Sequence, residues 1–228
     1  MAFHDRNTGV LLSGATPGAG AFGCFAASTL IDTPNGARPV EALQEGDLIS
    51  TLDHGAQPVA WVWNGRQSLR KADRAGRPVL IRAGALAPGR PGRDLIVSPH
   101  HHVLVGEAGQ FSAGFGQPVL APARVLTSQR GVRAMMGRKA IHWYGFACKR
   151  HEIVCANGVF AGSMLINRPA LAVMANRERQ QIGEETERRH GAVLNSAPAR
   201  PLWEPRERGQ DPVVRDYPGV SCRSRCST

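Results

Sequence analysis

The sequence predicts an all-β fold for the central part of the chain, and two observations lead to this expectation. The 228 residues include 26 glycines and 16 prolines, a composition that favours turns and short strands over long helices. Between residues 24 and 167, short apolar runs alternate with turn signals about every ten residues, which is typical of a sandwich or barrel-like β domain.

The individual strands are predicted from these apolar runs in chain order. In the stretch 58–63, Val59, Trp61 and Trp63 alternate with other residues, so a regular strand would place all three on one face. Turns are predicted at 33–36 and 45–47, where glycine follows polar residues. The other predicted strands are 29–31, 48–52, 79–82, 95–97, 102–105, 118–120 and 141–146.

The two ends of the chain differ from this centre in composition. Residues 1–23 contain a glycine-rich stretch and are predicted to form a flexible leader. Residues 170–189 could form a helix, and from Gly191 onward proline, arginine and polar residues predict disorder. The predicted organisation is a leader at 1–23, a β domain at 24–168, and a helical segment with a disordered tail at 169–228.

No stretch approaches the roughly 20 apolar residues that a membrane-spanning helix needs, so no membrane span is predicted. We expect a soluble domain and leave its compartment open, including secretion as part of a longer protein.

The net charge of +10 concentrates in one segment of the sequence. From Arg66 to Arg93 there are eight basic residues and a single acidic one, Asp73. One interpretation is a solvated, arginine-rich loop, and the alternative is a surface for anions or nucleic acid. No aromatic residue is interleaved with these arginines to stack on bases, so nucleic acid is not the expected partner.

The five cysteines do not indicate a disulfide framework, because their number is odd and their spacing irregular. Cys148 and Cys155 lie in apolar stretches and are expected to be small buried residues. Cys222 and Cys226 form a C-x3-C pair in the tail without a second pair of ligands, which does not indicate zinc.

The histidines offer an alternative metal site for zinc or copper. No carboxylate or paired cysteine has ligand spacing around them, so no metal and no cofactor is predicted. The histidines in question are His100, His101, His102, His142 and His151.

Three short segments carry chemistry. Cys24 follows Gly23, so a thiol stands beside the carbonyl of an unhindered glycine, which suits attack on that peptide bond. Ser98 and His101 form a Ser-x-x-His pattern about seventy residues later, and His151 opens a segment that runs to Val159.

In this order and spacing the three segments resemble the Hint family, the self-processing domain shared by hedgehog proteins and inteins. The resemblance covers about residues 23–165. It extends to Gly46-Asp47, which is similar to the end of the family's first block, and to the run 156–161. It implies a compact, pseudo-twofold β domain of the bacterial stand-alone type, in which residues 158–161 lie beside Cys24.

The resemblance also implies roles for individual residues. Cys24 would be the nucleophile that attacks the Gly23 carbonyl, and His101 would protonate the departing nitrogen. Ser98 would hydrogen-bond near the scissile amide, and His151 would be a further catalytic residue. Neighbouring strand residues face opposite sides, so His100 and His102 are expected at the surface or in packing. Asp47 is expected to be a turn carboxylate.

One departure from the family pattern limits the reaction. A splicing intein ends its last block in His-Asn, whereas this chain has Gly162-Ser163 there, so no asparagine can cyclise at that position. The resemblance then implies autocatalytic cleavage at Gly23–Cys24 through an N-to-S acyl shift, without splicing. The substrate is the chain's own N-terminal segment, and water, a thiol, an amine or an alcohol resolves the thioester.

Such a domain would act once rather than turn over as an enzyme does. Two alternatives stay open: an inactive Hint-like scaffold kept for binding, and a basic β domain that binds nucleic acid.

Overall fold

The protein is described here by a computed structural model, which covers residues 23–86, 88–106, 110, 111, 115, 117–166, 195, 197–204 and 213–215. The prediction of an all-β fold is confirmed: the described residues form fifteen strands and two short 3-10 helices, Val40–Ala42 and Ala123–Ser128. No described helix has the length and apolarity needed to cross a membrane. The strands are β1 (Phe25–Ala26), β2 (Leu30–Ile31), β3 (Arg38–Pro39), β4 (Leu48–Thr51), β5 (Gly55–Ser68), β6 (Val79–Ile81), β7 (Leu95–Val97), β8 (His102–Val105), β9 (Val119–Pro122), β10 (Val132–Ala134), β11 (Ala140–Cys148), β12 (Ile153–Ala156), β13 (Val159–Gly162), β14 (Leu202–Glu204) and β15 (Val213–Arg215).

The two longest strands, β5 and β11, form the antiparallel centre of the fold. Outward from β11, the strand order is β1, β7, β6 and β10. Outward from β5, it is β4, β12, β13, β8, β9, β14 and β15. The first residues of β5 pair with β4 and the rest pair with β11, so this single strand joins the two halves of the strand order.

A bulge in β5 corrects one expectation from the sequence. The register pairs Trp61 with Ala147 and Val59 with Cys148, which leaves Ala60 as an extra residue. An extra residue reverses the alternation of side chains beyond it. Val59 therefore packs in the main core with Val62, whereas Trp61 and Trp63 pack in a second cluster. The expectation that Val59, Trp61 and Trp63 share one face was wrong.

The second cluster, which includes Trp61 and Trp63, also contains Cys24, the predicted nucleophile. It is built around Trp143, which is fully buried, together with Cys24, Met164 and Ile166. The main core, on the other hand, contains Phe25 and apolar side chains from most of the other strands. Cys24 thus directly precedes β1 at the boundary between two apolar clusters, and its own side chain is removed from water.

The hairpin between β12 and β13 is set by the pair Asn157-Gly158. Both residues have positive φ, 50° and 88°, as a two-residue type I′ turn requires. The Asn157 amide also ties the hairpin to the rest of the fold: its Oδ1 accepts the Leu30 N–H at 2.8 Å, and its Nδ2 donates to the Asp94 carbonyl at 2.9 Å. Gly158 thus supplies a positive φ to the turn, whereas the Asn157 side chain also bonds the hairpin to Leu30 and Asp94.

Part of the C-terminal region differs from the sequence prediction. Within the stretch predicted to be disordered, β14 pairs in parallel with β9 through Leu202 and Leu120, and Asn195 and Arg200 are buried. We call Asn195 and residues 198–202 the strap. The leader at 1–22 and the predicted helix at 170–189 lie outside the described residues.

Candidate functional site

The peptide bond between Gly23 and Cys24 is held by Ser98. The Cys24 N–H donates to Ser98 Oγ at 3.1 Å, and the Ser98 N–H donates to the Cys24 carbonyl at 2.9 Å. These bonds continue the pairing of β1 with β7, where Phe25 lies opposite Val97. Cys24 and Ser98 both have no solvent exposure, so the hydroxyl contacts the amide between Gly23 and Cys24 in the protein interior.

The Ser-x-x-His segment is a turn that brings its serine and histidine to the same site. The His101 N–H donates to the Ser98 carbonyl at 3.1 Å, which closes the turn. His101 itself lies just before β8 rather than within it. The three adjacent histidines differ in exposure: His101 is fully buried, His102 is half-buried, and His100 is exposed and contacts Arg124.

The His101 ring lies against Gly23, the residue that precedes Cys24. A Cβ placed on Gly23 would be 3.4 Å from His101 Nδ1, so glycine allows the close approach of ring and backbone. On its other side the ring packs against Phe25, with ring centroids 4.3 Å apart. Among the described residues, neither ring nitrogen has a hydrogen-bond partner of good geometry.

The environment of His101 keeps its imidazole neutral. Burial, with smaller contributions from the charges of His102 and His151, lowers its pKa from 6.5 to about 3. The nearby backbone of Gly23 and Cys24 opposes this shift only in part. At neutral pH the ring is therefore uncharged and carries a proton on only one of its two nitrogens.

Gly145 and Met164 complete the wall around the thiol, and sequence reasoning missed both. A Cβ on Gly145 would lie 3.6 Å from Cys24 Sγ and 3.7 Å from the Gly23 carbonyl oxygen, and it would overlap Met164 Cε. The Cys24 thiol, the Gly23 carbonyl and the Met164 methyl group thus all lie close to the backbone of β11 at Gly145. An isolated glycine within an apolar strand was the available signal, because it often marks a close approach of backbone.

His151 packs against Gly162 at the end of β13. A Cβ on Gly162 would be 2.6 Å from His151 Nε2 and 3.7 Å from the His102 carbonyl oxygen. His151 Nδ1 accepts the Ala199 N–H at 3.0 Å. Burial and the nearby His102 lower the pKa of His151 to about 3, so this ring is neutral too. The structure brings Cys24, Ser98 and His101 together around the Gly23–Cys24 peptide. It places His151 next to Gly162, the last residue of β13.

The segment just after β13, rather than the start of that strand, approaches Cys24. Gly158 lies near Pro91 and Gly92, whereas Met164 reaches the thiol. The expectation that residues 158–161 lie beside Cys24 is therefore wrong for Gly158. Ser163 has a structural contact here, since its Oγ accepts the Glu152 N–H at 3.0 Å.

Asp47 and the other cysteines have local environments of their own. Asp47 pairs with Arg38 at 2.9 Å and accepts the Gln44 N–H at 2.8 Å, as a turn carboxylate does. Burial raises the pKa of Cys148 to about 12 and that of Cys155 to about 11. Cys148 is buried as expected, while Cys155 is half-buried. Both thiols are therefore poor nucleophiles.

The histidines do not converge on a metal site. His142 bonds to Asn64 at 3.1 Å and stacks on Tyr144, whereas His100 contacts Arg124 at the surface. In the part of the chain that the structure describes, no three histidine, cysteine or carboxylate side chains are grouped as metal ligands would be.

Solved structures with similar folds are inteins and an intein-like domain. The gp41-1 intein is 15% identical with a TM-score of 0.39, covering 61% of this chain and 97% of its own. The bacterial intein-like domain from Clostridium thermocellum is 13% identical with a TM-score of 0.40, covering 61% and 97%. The Ssp DnaB mini-intein variant is 10% identical with a TM-score of 0.41, covering 64% and 96%. No curated protein matches the chain.

The family assignment depends on a sequence profile rather than on these superpositions. The profile described as the Hint domain matches residues 23–168, well over half of the chain. The match begins at Gly23, includes Cys24, Ser98, His101 and His151, and ends shortly after β13. The chain therefore belongs to the Hint domain family, whose fold is that of self-processing domains.

Proposed function

We propose that this domain cleaves its own chain at the Gly23–Cys24 peptide bond through an N-to-S acyl shift. The observation that carries the proposal is the enclosure of this peptide. Its N–H is bonded to Ser98 Oγ, its acyl glycine contacts the His101 ring, and its thiol and carbonyl lie over Gly145. A thiol, a base and a hydrogen-bonding hydroxyl around one peptide are the groups that an acyl shift needs.

The reaction exchanges an amide for a thioester. Cys24 Sγ attacks the Gly23 carbonyl carbon and forms a tetrahedral intermediate. The C–N bond then breaks, the thiol proton ends on the departing amine, and Gly23 remains joined to Sγ as a thioester. Attack by water would regenerate the thiol and release Gly23 as a carboxylate, while a thiol, an amine or an alcohol would take the acyl group instead.

The buried state of His101 decides how this proton travels. With a pKa of about 3, only about one ring in ten thousand is protonated at pH 7, so a standing imidazolium cannot be the acid. The neutral ring instead takes the proton from the thiol and delivers it to the Cys24 nitrogen. Ser98, bonded to that nitrogen from the start, keeps it oriented as its geometry changes from planar to tetrahedral.

The chain's departure from splicing inteins supports cleavage without ligation. Ser163 stands where a splicing intein has its asparagine, and its hydroxyl is bonded to the Glu152 N–H. Serine has no amide to cyclise onto the following peptide. The leader at 1–23 is therefore the proposed substrate, and resolution of the thioester is the last step.

Intact mass measurement of the purified full chain tests this function. We expect a species that lacks residues 1–23, formed faster with added thiol, and a Gly23 hydroxamate when hydroxylamine is present. Cys24→Ala should leave the chain whole, whereas Cys155→Ala, which removes a half-buried thiol elsewhere, should not affect cleavage. A wild-type chain that stays whole with thiol and with hydroxylamine would refute self-cleavage and favour the inactive scaffold.

A further inference from the structure

We propose that the strap, Asn195 and residues 198–202, is a positioning element of the processing site. The inference rests on the proposed function, since it assigns the strap a part in that reaction. The strap lies beyond residue 168, where the match to the family profile ends. It nevertheless contacts the two residues that pack behind the scissile peptide, Met164 and His151.

Asn195 fixes the backbone that carries Met164. Its Oδ1 accepts the Ile166 N–H at 2.8 Å, and its Nδ2 donates to the carbonyls of Met164 and Cys148, both at 3.0 Å. The side chain thereby bridges the end of β11 and the segment after β13. Met164 N–H donates to the Phe146 carbonyl at 2.8 Å, so this residue is held through both its N–H and its carbonyl while its methyl lies near Cys24 Sγ.

Ala199 fixes the ring of His151. Its backbone N–H donates to Nδ1 at 3.0 Å, which makes Nδ1 an acceptor and leaves the proton of the neutral ring on Nε2. Nε2 faces the backbone of Gly162, which lies opposite His102 where β13 meets β8. His151 in turn contributes to the field that lowers the pKa of His101.

Two further contacts anchor the strap to the domain. Arg200 makes a bidentate pair with Asp53, at 2.8 and 2.9 Å, with only 7% of the arginine side chain exposed. Leu202 continues into β14, which is paired with β9. A buried, bidentate arginine pair specifies geometry as well as adding energy. These two contacts therefore fix the position of the strap along the domain, so that the Ala199 N–H lies against His151 Nδ1.

The role assigned to the strap is positioning, because the hydrogen bonds described above join it to His151, Met164 and Ile166. Without the Ala199 donor, the His151 ring can adopt the other tautomer or rotate, and the β8–β13 junction that carries His101 loses a fixed neighbour. Displacement of a reacting group by about 1 Å can slow a reaction by a factor of about 100. Loss of one positioning bond should therefore slow cleavage by about tenfold.

The test uses full-length chains and two matched proline substitutions. Ala199→Pro removes the N–H that donates to His151, and Ala197→Pro makes the same change at an exposed residue between Asn195 and Pro198. We expect Ala199→Pro to slow cleavage by about tenfold and Ala197→Pro to cleave at the wild-type rate. Equal rates for Ala199→Pro and the wild-type chain would overturn the proposal.

A second readout separates positioning from loss of structure and does not depend on cleavage. In the Cys24→Ala background, the ring ¹⁵N signals of His151 should show a single tautomer protonated on Nε2, and Ala199→Pro should give mixed tautomers. Unchanged ring signals would overturn the strap's role even if the wild-type chain cleaves normally. If the wild-type chain does not cleave while the tautomer changes as expected, the proposed function fails and the contact stands.

If Ala199→Pro does not fold, Arg200→Gln provides an alternative test of the strap's role. It weakens the anchor while keeping every backbone donor, and its thermal unfolding shows directly whether the domain is intact. We expect a folded chain that cleaves several-fold more slowly and has mixed His151 tautomers. A folded Arg200→Gln chain with the wild-type rate and a single tautomer would overturn the proposal.

Discussion

Mild acid should destabilise this protein through two histidines buried in their neutral form. The pKa values of His101 and His151 are each lowered to about 3 in the folded chain, mainly by burial, from an ordinary value of 6.5. Between pH 6.5 and pH 3 the unfolded chain therefore binds protons at these two histidines that the folded chain does not bind. By linkage, stability is fully present above pH 6.5 and falls as the pH drops through this window.

The magnitude follows from the two shifts. At pH 5 the pH lies about 1.5 units below the pKa of the unfolded imidazole. Each unit corresponds to about 1.4 kcal/mol, so each histidine lowers the free energy of unfolding by about 2 kcal/mol. From pH 7 to pH 5 the pair should lower the free energy of unfolding by about 4 kcal/mol, a large part of the roughly 5–15 kcal/mol typical of a domain. His102, whose pKa burial lowers to about 4, adds to this loss. Burial raises the pKa of Glu152, and this carboxyl contributes with the opposite sign as the pH falls.

Urea unfolding of the Cys24→Ala chain between pH 7 and pH 5 measures this effect without interference from cleavage. The decisive comparison is His101→Gln in the same background, which should reduce the slope of stability against pH by one histidine's share, about 2 kcal/mol over this range. A stability that is flat from pH 7 to pH 5, or a slope that the glutamine leaves unchanged, would show that these rings are not buried and neutral.

Three substitutions around the site give further tests, each read by denaturant unfolding and by intact mass. Ser98→Ala should cost about 1–3 kcal/mol because it strands the buried scissile N–H, and it should slow cleavage, whereas Ser98→Thr keeps the hydroxyl and should retain most activity; equal behaviour of the two would contradict the role of the oxygen. Gly145→Ala should cost about 1–3 kcal/mol by overlapping Met164 Cε, and its cost should shrink when Met164→Ala is already present, so additive costs would count against this contact. Gly162→Ala should destabilise by a similar amount, since a methyl there would lie 2.6 Å from a rigid imidazole nitrogen, and a neutral effect would mean that the ring lies elsewhere.

The parts of the site that the sequence predicted are those encoded within a few residues. Ser98 and His101 are three positions apart, and one turn joins them. Asn157-Gly158 is a strong local hairpin signal, and the structure has a two-residue loop with both φ values positive. Short-range geometry of this kind depends on the backbone preferences of the residues themselves, so it can be recognised without knowledge of the fold.

The parts that could not be predicted depend on pairing between distant strands. The bulge at Ala60 exists only relative to β11, and nothing in the sequence of β5 distinguishes it from a regular strand. Met164 reaches the thiol only because Gly145 has no side chain, a contact that joins β11 to the segment after β13. Composition around Arg200 predicts disorder, yet a carboxylate 147 residues away gives this arginine a buried partner.

Burial of the scissile peptide links the chemistry of this domain to its stability. Removing Cys24, Ser98 and His101 from water keeps the imidazole unprotonated throughout the neutral range. Below pH 6.5 the unfolded chain takes up a proton at His101 that the folded chain does not bind, so the same burial lowers stability in acid. A variant that admits water to His101 should therefore lose less stability between pH 7 and pH 5 than the parent chain, because the pKa of its folded imidazole lies closer to the unfolded value of 6.5.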